Sequence, residues 1–148
     1  MQSMRATIVN SMKLEFDSSS CNESFARSTV CAFAAQLDPT LAELTEVRTA
    51  VSEAVTNSII HGYISKPGKI TVTASLYSDR HIRITVRDRG AGIEDINTAR
   101  LPLYTSDTSG ERGGMGFSIM ESFTDKMKVV SAPGKGTTVT LIKYFDGE

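Results

Sequence analysis

The sequence predicts an α+β fold of two layers, one sheet with helices on a single face. Apolar residues recur at helical spacing in two early segments, then alternate with polar ones in the segments that follow. The first strand is expected at 13–16, closed by the polar loop 17–20. Asn22 then stands where a helix cap belongs. Phe25, Ala26, Val30, Phe33, Ala34 and Leu37 form the apolar stripe of a first helix of about four turns, with Glu23 and Arg27 on its other face. Asp38 followed by Pro39 reads as a cap with proline at the first helical position, launching a second helix that runs to His61 and stops at Gly62. Its inward stripe is Leu44, Val47, Val51, Ala54, Val55, Ser58 and Ile59.

The period then changes. Residues 69–77 and 81–87 alternate as strands around the hairpin turn Ser78-Asp79-Arg80. Residues 90–114 show little periodicity and much Gly, Ser, Thr and Asp, apart from a short turn near 95–100. A connection of that length in a small domain is characteristic of a functional lid. Helix returns at 115–123, and 126–131 and 137–145 are two more strands around the turn 132–136. The whole chain, 1–148, is expected to be a single domain, with 1–11 a flexible arm of no assigned function.

With 148 residues, 40% of them hydrophobic, the chain supports one well-buried core and is too short for two ordinary domains. Its net charge of −1 gives no basic footprint for nucleic acid, so no direct nucleic-acid contact is expected. Cys21 and Cys31 form no CxxC pair and have no His cluster, which excludes an obvious zinc site and leaves a disulfide framework unsupported. There is neither an apolar run of membrane-span length nor a secretory leader, so a cytoplasmic protein without membrane contact is expected.

Four short segments carry the chemistry. In Glu53-Ala-Val-Thr-Asn57 a carboxylate and an amide lie one helical turn apart and project on one face, and His61 extends that line. A carboxylate there can accept a proton, and an amide oxygen can bind Mg2+. Taken alone, the pair describes an ordinary solvated helix face. Asp88-Arg-Gly90-Ala-Gly92-Ile93 ends a strand with an acid beside glycines that allow close approach by a flat ring, or else is a plain acidic turn. Gly110-Glu-Arg112-Gly113-Gly114-Met115-Gly116-Phe117 opens a helix, where backbone N–H groups and the helix dipole favour phosphate. It lacks the lysine of a P-loop, and it does not follow the first strand as a dinucleotide fingerprint would. The last segment, Gly136-Thr137-Thr138, reads equally as plain strand.

In this order the four segments resemble the GHKL superfamily of ATP-binding domains, which includes gyrase, bacterial histidine kinases and MutL. Further runs at 22–27, 35–39, 51–57, 60–63 and 114–117 resemble the anti-sigma kinases of endospore-forming bacteria, over about 14–143. The resemblance implies a Bergerat-type sandwich, a mixed and mainly antiparallel sheet backed by helices, with ATP held under a lid. By position it implies Glu53 as general base, Asn57 as Mg2+ ligand, Asp88 as the acid that reads adenine, and Gly92 packed beside the base. Gly113, Gly114 and Gly116 match the phosphate loop, Arg112 a basic residue near the terminal phosphate, and Thr137 a threonine that holds adenine through water. His61, Gly90, Ile93, Thr105, Met115 and Phe117 complete the expected cofactor contacts. The loop 104–110 differs from the family pattern, and the N-terminal arm is longer than its usual start.

The activities implied are serine phosphorylation of an anti-anti-sigma factor with Mg-ATP, and sequestration of a sporulation sigma factor, sigma factor F, by an ATP-bound homodimer. Arg27, on the exposed side of the first helix, is the expected partner contact. Three other classes fit the same ATP site. One is a stress-response kinase of the anti-sigma B type, and another is a nucleotide-gated sigma-binding protein without kinase activity. The third, a histidine-kinase catalytic fragment, is disfavoured because no phosphoacceptor helix precedes the domain.

Overall fold

Alternation in the middle of the chain builds the sheet, and the line of small apolar residues on the first two helices builds the layer that covers it. The computed structural model describes residues 5–63, 67–91 and 116–146. Its strands are β1 (Ile8–Asp17), β2 (Lys69–Tyr77), β3 (His81–Asp88), β4 (Lys126–Ala132) and β5 (Gly136–Tyr144), in the order β1-β2-β3-β5-β4. Each neighbouring pair is antiparallel, in keeping with the mainly antiparallel sheet expected.

The helices are α1 (Asn22–Ala34), which ends in the short 3-10 turn Ala35–Leu37, α2 (Leu41–Asn57) and α3 (Gly116–Phe123). Helix α2 packs between α1 and α3. Val47, Ala50, Val51, Ala54 and Val55 of α2 are buried with Ile70, Val72, Ala74 and Leu76 of β2, Ile82, Ile84 and Val86 of β3, and Val139 and Leu141 of β5. Period 2 on the sheet meets period 3.6 on the helices, and one core results. The other sheet face carries exposed Lys13, Glu15, Arg83 and Arg87.

Several boundaries depart from the sequence reading, each for a local reason. Strand β1 begins at Ile8, not Lys13, so the expected arm 1–11 is strand from Ile8 onward. Its outer half runs along β2 through backbone pairing, with Ile8 opposite Tyr77 and Ser11 opposite Ser75, while its side chains stay exposed. An edge strand that buries nothing there leaves no apolar alternation to read. Asn22 is the first residue of α1 rather than its cap, because its side-chain amide reaches back to the Asp17 carbonyl at 2.9 Å.

Asp38 does not cap α2 and Pro39 is not in its first turn. Asp38 takes a left-handed conformation, φ 51°, and Thr40 is the cap. Thr40 Oγ1 accepts the Glu43 N–H at 3.1 Å while Glu43 Oε1 accepts the Thr40 N–H at 2.8 Å, a reciprocal box that satisfies two donors at once. Phe25 is 50% exposed and lies off the buried line of α1, which runs through Ala26, Val30 and Ala34 at i, i+4 and i+8. Finally, α2 does not run unchanged to His61. It widens into a π-helical turn over Ser58–Gly62, closed by Tyr63 N–H to the Ser58 carbonyl at 3.2 Å.

Candidate functional site

Asp88 continues the inward line of Ile82, Ile84 and Val86, so strand alternation turns its carboxylate toward the helices. It is only 4% exposed. Three donors meet it. Gly90 N–H reaches Oδ1 at 2.9 Å, the Ser58 hydroxyl reaches Oδ2 at 2.8 Å, and the backbone N–H of Thr137, its register partner on β5, also donates. Burial nonetheless pushes the carboxyl above its ordinary pKa, since loss of water outweighs the donors from Gly90, Ser58 and Thr137 that lower it. A carboxylate offers about four acceptor positions, so capacity for one further N–H donor remains.

The backbone around this acid is drawn in tightly. A Cβ on Gly90 would stand 1.9 Å from the Gly62 carbonyl oxygen, and Gly136, at φ 92°, passes so close that a Cβ would lie 2.1 Å from the Asp88 carbonyl oxygen. Ala91 N–H donates to the Gly62 carbonyl at 2.7 Å, and Gly134 N–H to the Ala91 carbonyl at 2.6 Å. The π-helical turn, the end of β3 and the β4–β5 turn thus meet through main chain, where side chains would hold them apart.

Glu53 and Asn57, both half-buried, lie one turn apart at the C-terminal end of α2, directly before Ser58. Because Ser58 binds Asp88, the end of α2 that carries Glu53 and Asn57 is fixed to the end of β3. His61 is half-buried in the π-helical turn. Thr137 Oγ1 shares a hydrogen bond with Ser131 Oγ at 2.7 Å. Phe117 is 7% exposed and belongs to the hydrophobic core, and Gly116 is the first residue of α3. Gly92, Ile93, Thr105, Arg112, Gly113, Gly114 and Met115 lie outside the described residues. Arg27 sits on α1, 3.4 Å from Glu23 across one helical turn.

Sequence reasoning missed Ser58, Gly62 and Tyr63 as parts of this site. Ser58 was legible as a polar member of an otherwise apolar stripe, because a buried hydroxyl requires a partner. The Tyr63 hydroxyl accepts the Arg89 N–H at 2.8 Å and donates to the Lys69 carbonyl at 2.6 Å, bracing the loop after Asp88. Among the described residues no cluster of three or more His, Cys, Asp or Glu side chains could hold a metal by itself. A divalent ion here would draw most of its ligands from elsewhere, as Mg2+ does when it keeps water and substrate phosphate oxygens.

A sheet backed by helices, with a buried acid at the end of its central strand and a carboxylate–amide pair on the facing helix, defines the class of a nucleotide-binding ATPase domain. Residues 21–143 match the histidine kinase-like ATPase domain. The chain is 56% identical over 139 residues to the anti-sigma F factor of Shouchella clausii, covering 93% of this chain and 94% of that protein. It is 55% identical over 139 residues to that of Thermoanaerobacter sp., covering 94% and 96%. Among solved structures, the RsbU and RsbW domains of Rv1364c from Mycobacterium tuberculosis superpose with a TM-score of 0.67 at 20% identity, over 93% of this chain and 32% of that one. The histidine kinase domain of the Erythrobacter litoralis EL346 blue-light activated histidine kinase superposes at 0.56 and 16% identity, over 83% and 60%. The chain belongs to the anti-sigma F factors, within the histidine kinase-like ATPase family.

Proposed function

We propose that this chain is a Mg-ATP-dependent serine kinase that also acts as an anti-sigma factor. In this reading, a homodimer of single-domain protomers in the cytoplasm holds sigma factor F in the ATP form, keeps it from RNA polymerase, and phosphorylates a serine of an anti-anti-sigma factor. The buried Asp88 carboxylate carries the reading. An acid kept dry at a strand end, with Ser58, Gly90 and Thr137 already donating to it, is suited to accept one more N–H from an exocyclic amine such as that of adenine.

Bound Mg-ATP supplies the phosphoryl group, and transfer is largely positioning plus charge neutralisation. Asn57 offers an amide oxygen to the metal, and Glu53, one turn earlier on the same helix face, accepts the proton of the incoming serine hydroxyl. Gly113 and Gly114, ahead of α3 in the sequence, and Gly116, its first residue, would offer backbone N–H groups to phosphate, Arg112 would add a cation for the terminal phosphate, and Gly90, Gly92 and Ile93 would wall the base. His61, Thr105, Met115, Phe117 and Thr137 complete the cofactor environment, and Arg27 contacts the protein partner.

Radiolabelled ATP incubated with the chain and an anti-anti-sigma factor tests this directly. Label is expected on one partner serine, and none on a partner in which that serine is alanine. ATP-dependent sigma binding with no label transferred would make the chain a nucleotide-gated binding protein instead.

A further inference from the structure

The sheet face away from the helices is built from the outward residues of β1, β2 and β3, and cross-strand register hollows it at one end. Glu15 pairs with Thr71 and Thr71 with Arg87, while Asp17 pairs with Lys69. The short side chain of Thr71 and the bare backbone of Gly68 therefore lie between longer side chains on either side, with Tyr63 as a wall. The result is a cavity of about 470 Å³. Four of its lining residues, Lys13, Lys69, Arg87 and Arg89, are cations, and Glu15 is its only acid. Of these cations only Lys69 has a carboxylate partner among the described residues, Asp17 at 2.5 Å. Grouping like charges around a hollow raises the electrostatic energy of the free protein, and an anionic ligand relieves it.

Spacing narrows the ligand. Arg87 and Lys13 stand on strands separated by β2 and are offset by two residues in register, so their backbones are about 12 Å apart, and Arg87 and Arg89 are about 7 Å apart along the chain. A single phosphate does not span such an array, whereas carboxylates at i and i+2 of an extended peptide repeat at the same roughly 7 Å. Beyond the cavity the face continues through Thr73 and Thr85, whose hydroxyls share a hydrogen bond, so the neighbouring surface also suits a polar ligand. A second copy seated here about a twofold axis would set cations against cations.

We propose that this cavity docks an extended acidic segment of a partner protein, with Arg87 and Arg89 as its principal anchors. The site is separate from Glu53 and Asn57 and does not depend on kinase activity. A fluorescein-labelled hexaglutamate peptide titrated with the full chain, read by anisotropy, tests it. Binding is expected, with the Kd raised about tenfold in Arg87→Gln/Arg89→Gln, since two exposed charge contacts are worth roughly 1.4 kcal/mol together. Lys126→Gln/Lys128→Gln removes the same charge from β4 and is expected to leave Kd within about twofold. No binding by the parent chain, or equal weakening by the two double variants, would overturn the assignment. So would displacement of the peptide by inorganic phosphate at concentrations matching the peptide Kd, because the site would then be one for the free anion.

Discussion

The Ser58 hydroxyl donates to Asp88 Oδ2 at 2.8 Å across thirty positions of sequence, and this one bond joins the end of the second helix to the end of the third strand. Its acceptor is 4% exposed, so water cannot readily replace the donor. Ser58→Ala is therefore expected to cost about 2 kcal/mol, the scale of a buried hydrogen bond to a charged group. It is also expected to move the Asp88 pKa further upward, because a donor that favours the ionised form is gone. Urea unfolding of the two proteins at neutral pH measures the first effect, and a loss below about 0.5 kcal/mol would mean that the bond does not stabilise the fold.

Asp88→Asn separates folding from nucleotide binding. The Asn amide can keep its oxygen toward Gly90 N–H and turn its NH2 toward the Ser58 oxygen, which accepts as readily as it donates. Stability at neutral pH is expected to hold within about 1 kcal/mol, while ATP affinity falls about 10- to 100-fold with the loss of a charged acceptor. The pH dependence has a definite sign. Because the folded pKa is raised above the ordinary 3.8, Asp88 contributes its full stability below that value and loses it as pH rises through the folded pKa. The stability of the parent relative to Asp88→Asn should thus decline as pH rises from 3.8 through the acid range, measured by unfolding titrations at several pH values.

Most of this arrangement was open to sequence reasoning wherever burial leaves a period. Strand β2 follows its alternation from Lys69 to Tyr77, and the same alternation, carried one step past Val86, puts Asp88 on the helix side. What lay hidden is what main-chain geometry decides. The outer half of β1 pairs without burying side chains, Thr40 outcompetes Asp38 as a cap because Glu43 completes its box, and one residue of extra winding after Ser58 carries the chain into the turn that meets the β3 loop at Gly62. Periodicity cannot register a π-helical turn, since nothing in the apolar spacing announces a bond from i to i+5.

Gly90 is expected to tolerate no side chain. A methyl 1.9 Å from the Gly62 carbonyl oxygen forces the β3 loop away from the π-helical turn, and the bond from Ala91 N–H to that same oxygen goes with it. Gly90→Ala should cost about 3 kcal/mol, within the range of overpacking. Gly134→Ala is the internal comparison. Its Cβ meets nothing within 4 Å, so only the left-handed backbone, φ 74°, resists it, at about 1 kcal/mol. Thermal melts should rank the two in that order, and the reverse ranking would mean that the close approach at Gly62 relaxes without cost.

Glu53→Gln tests the proposed division of labour along α2. The substitution keeps volume and helix propensity nearly unchanged while it removes the negative charge and with it the capacity to accept a proton, so the helical position of Asn57 four residues on should hold. Phosphoryl transfer to a serine partner is expected to fall about 10²- to 10⁴-fold, the usual contribution of a positioned base. ATP affinity should stay within about twofold, because the adenine contact and the phosphate contacts are assigned to other residues. Single-turnover phosphorylation at saturating ATP, read beside equilibrium nucleotide binding, distinguishes the outcomes. A parallel loss of binding would make Glu53 a ligand of the nucleotide–metal complex, and an unchanged rate would leave proton removal to another group.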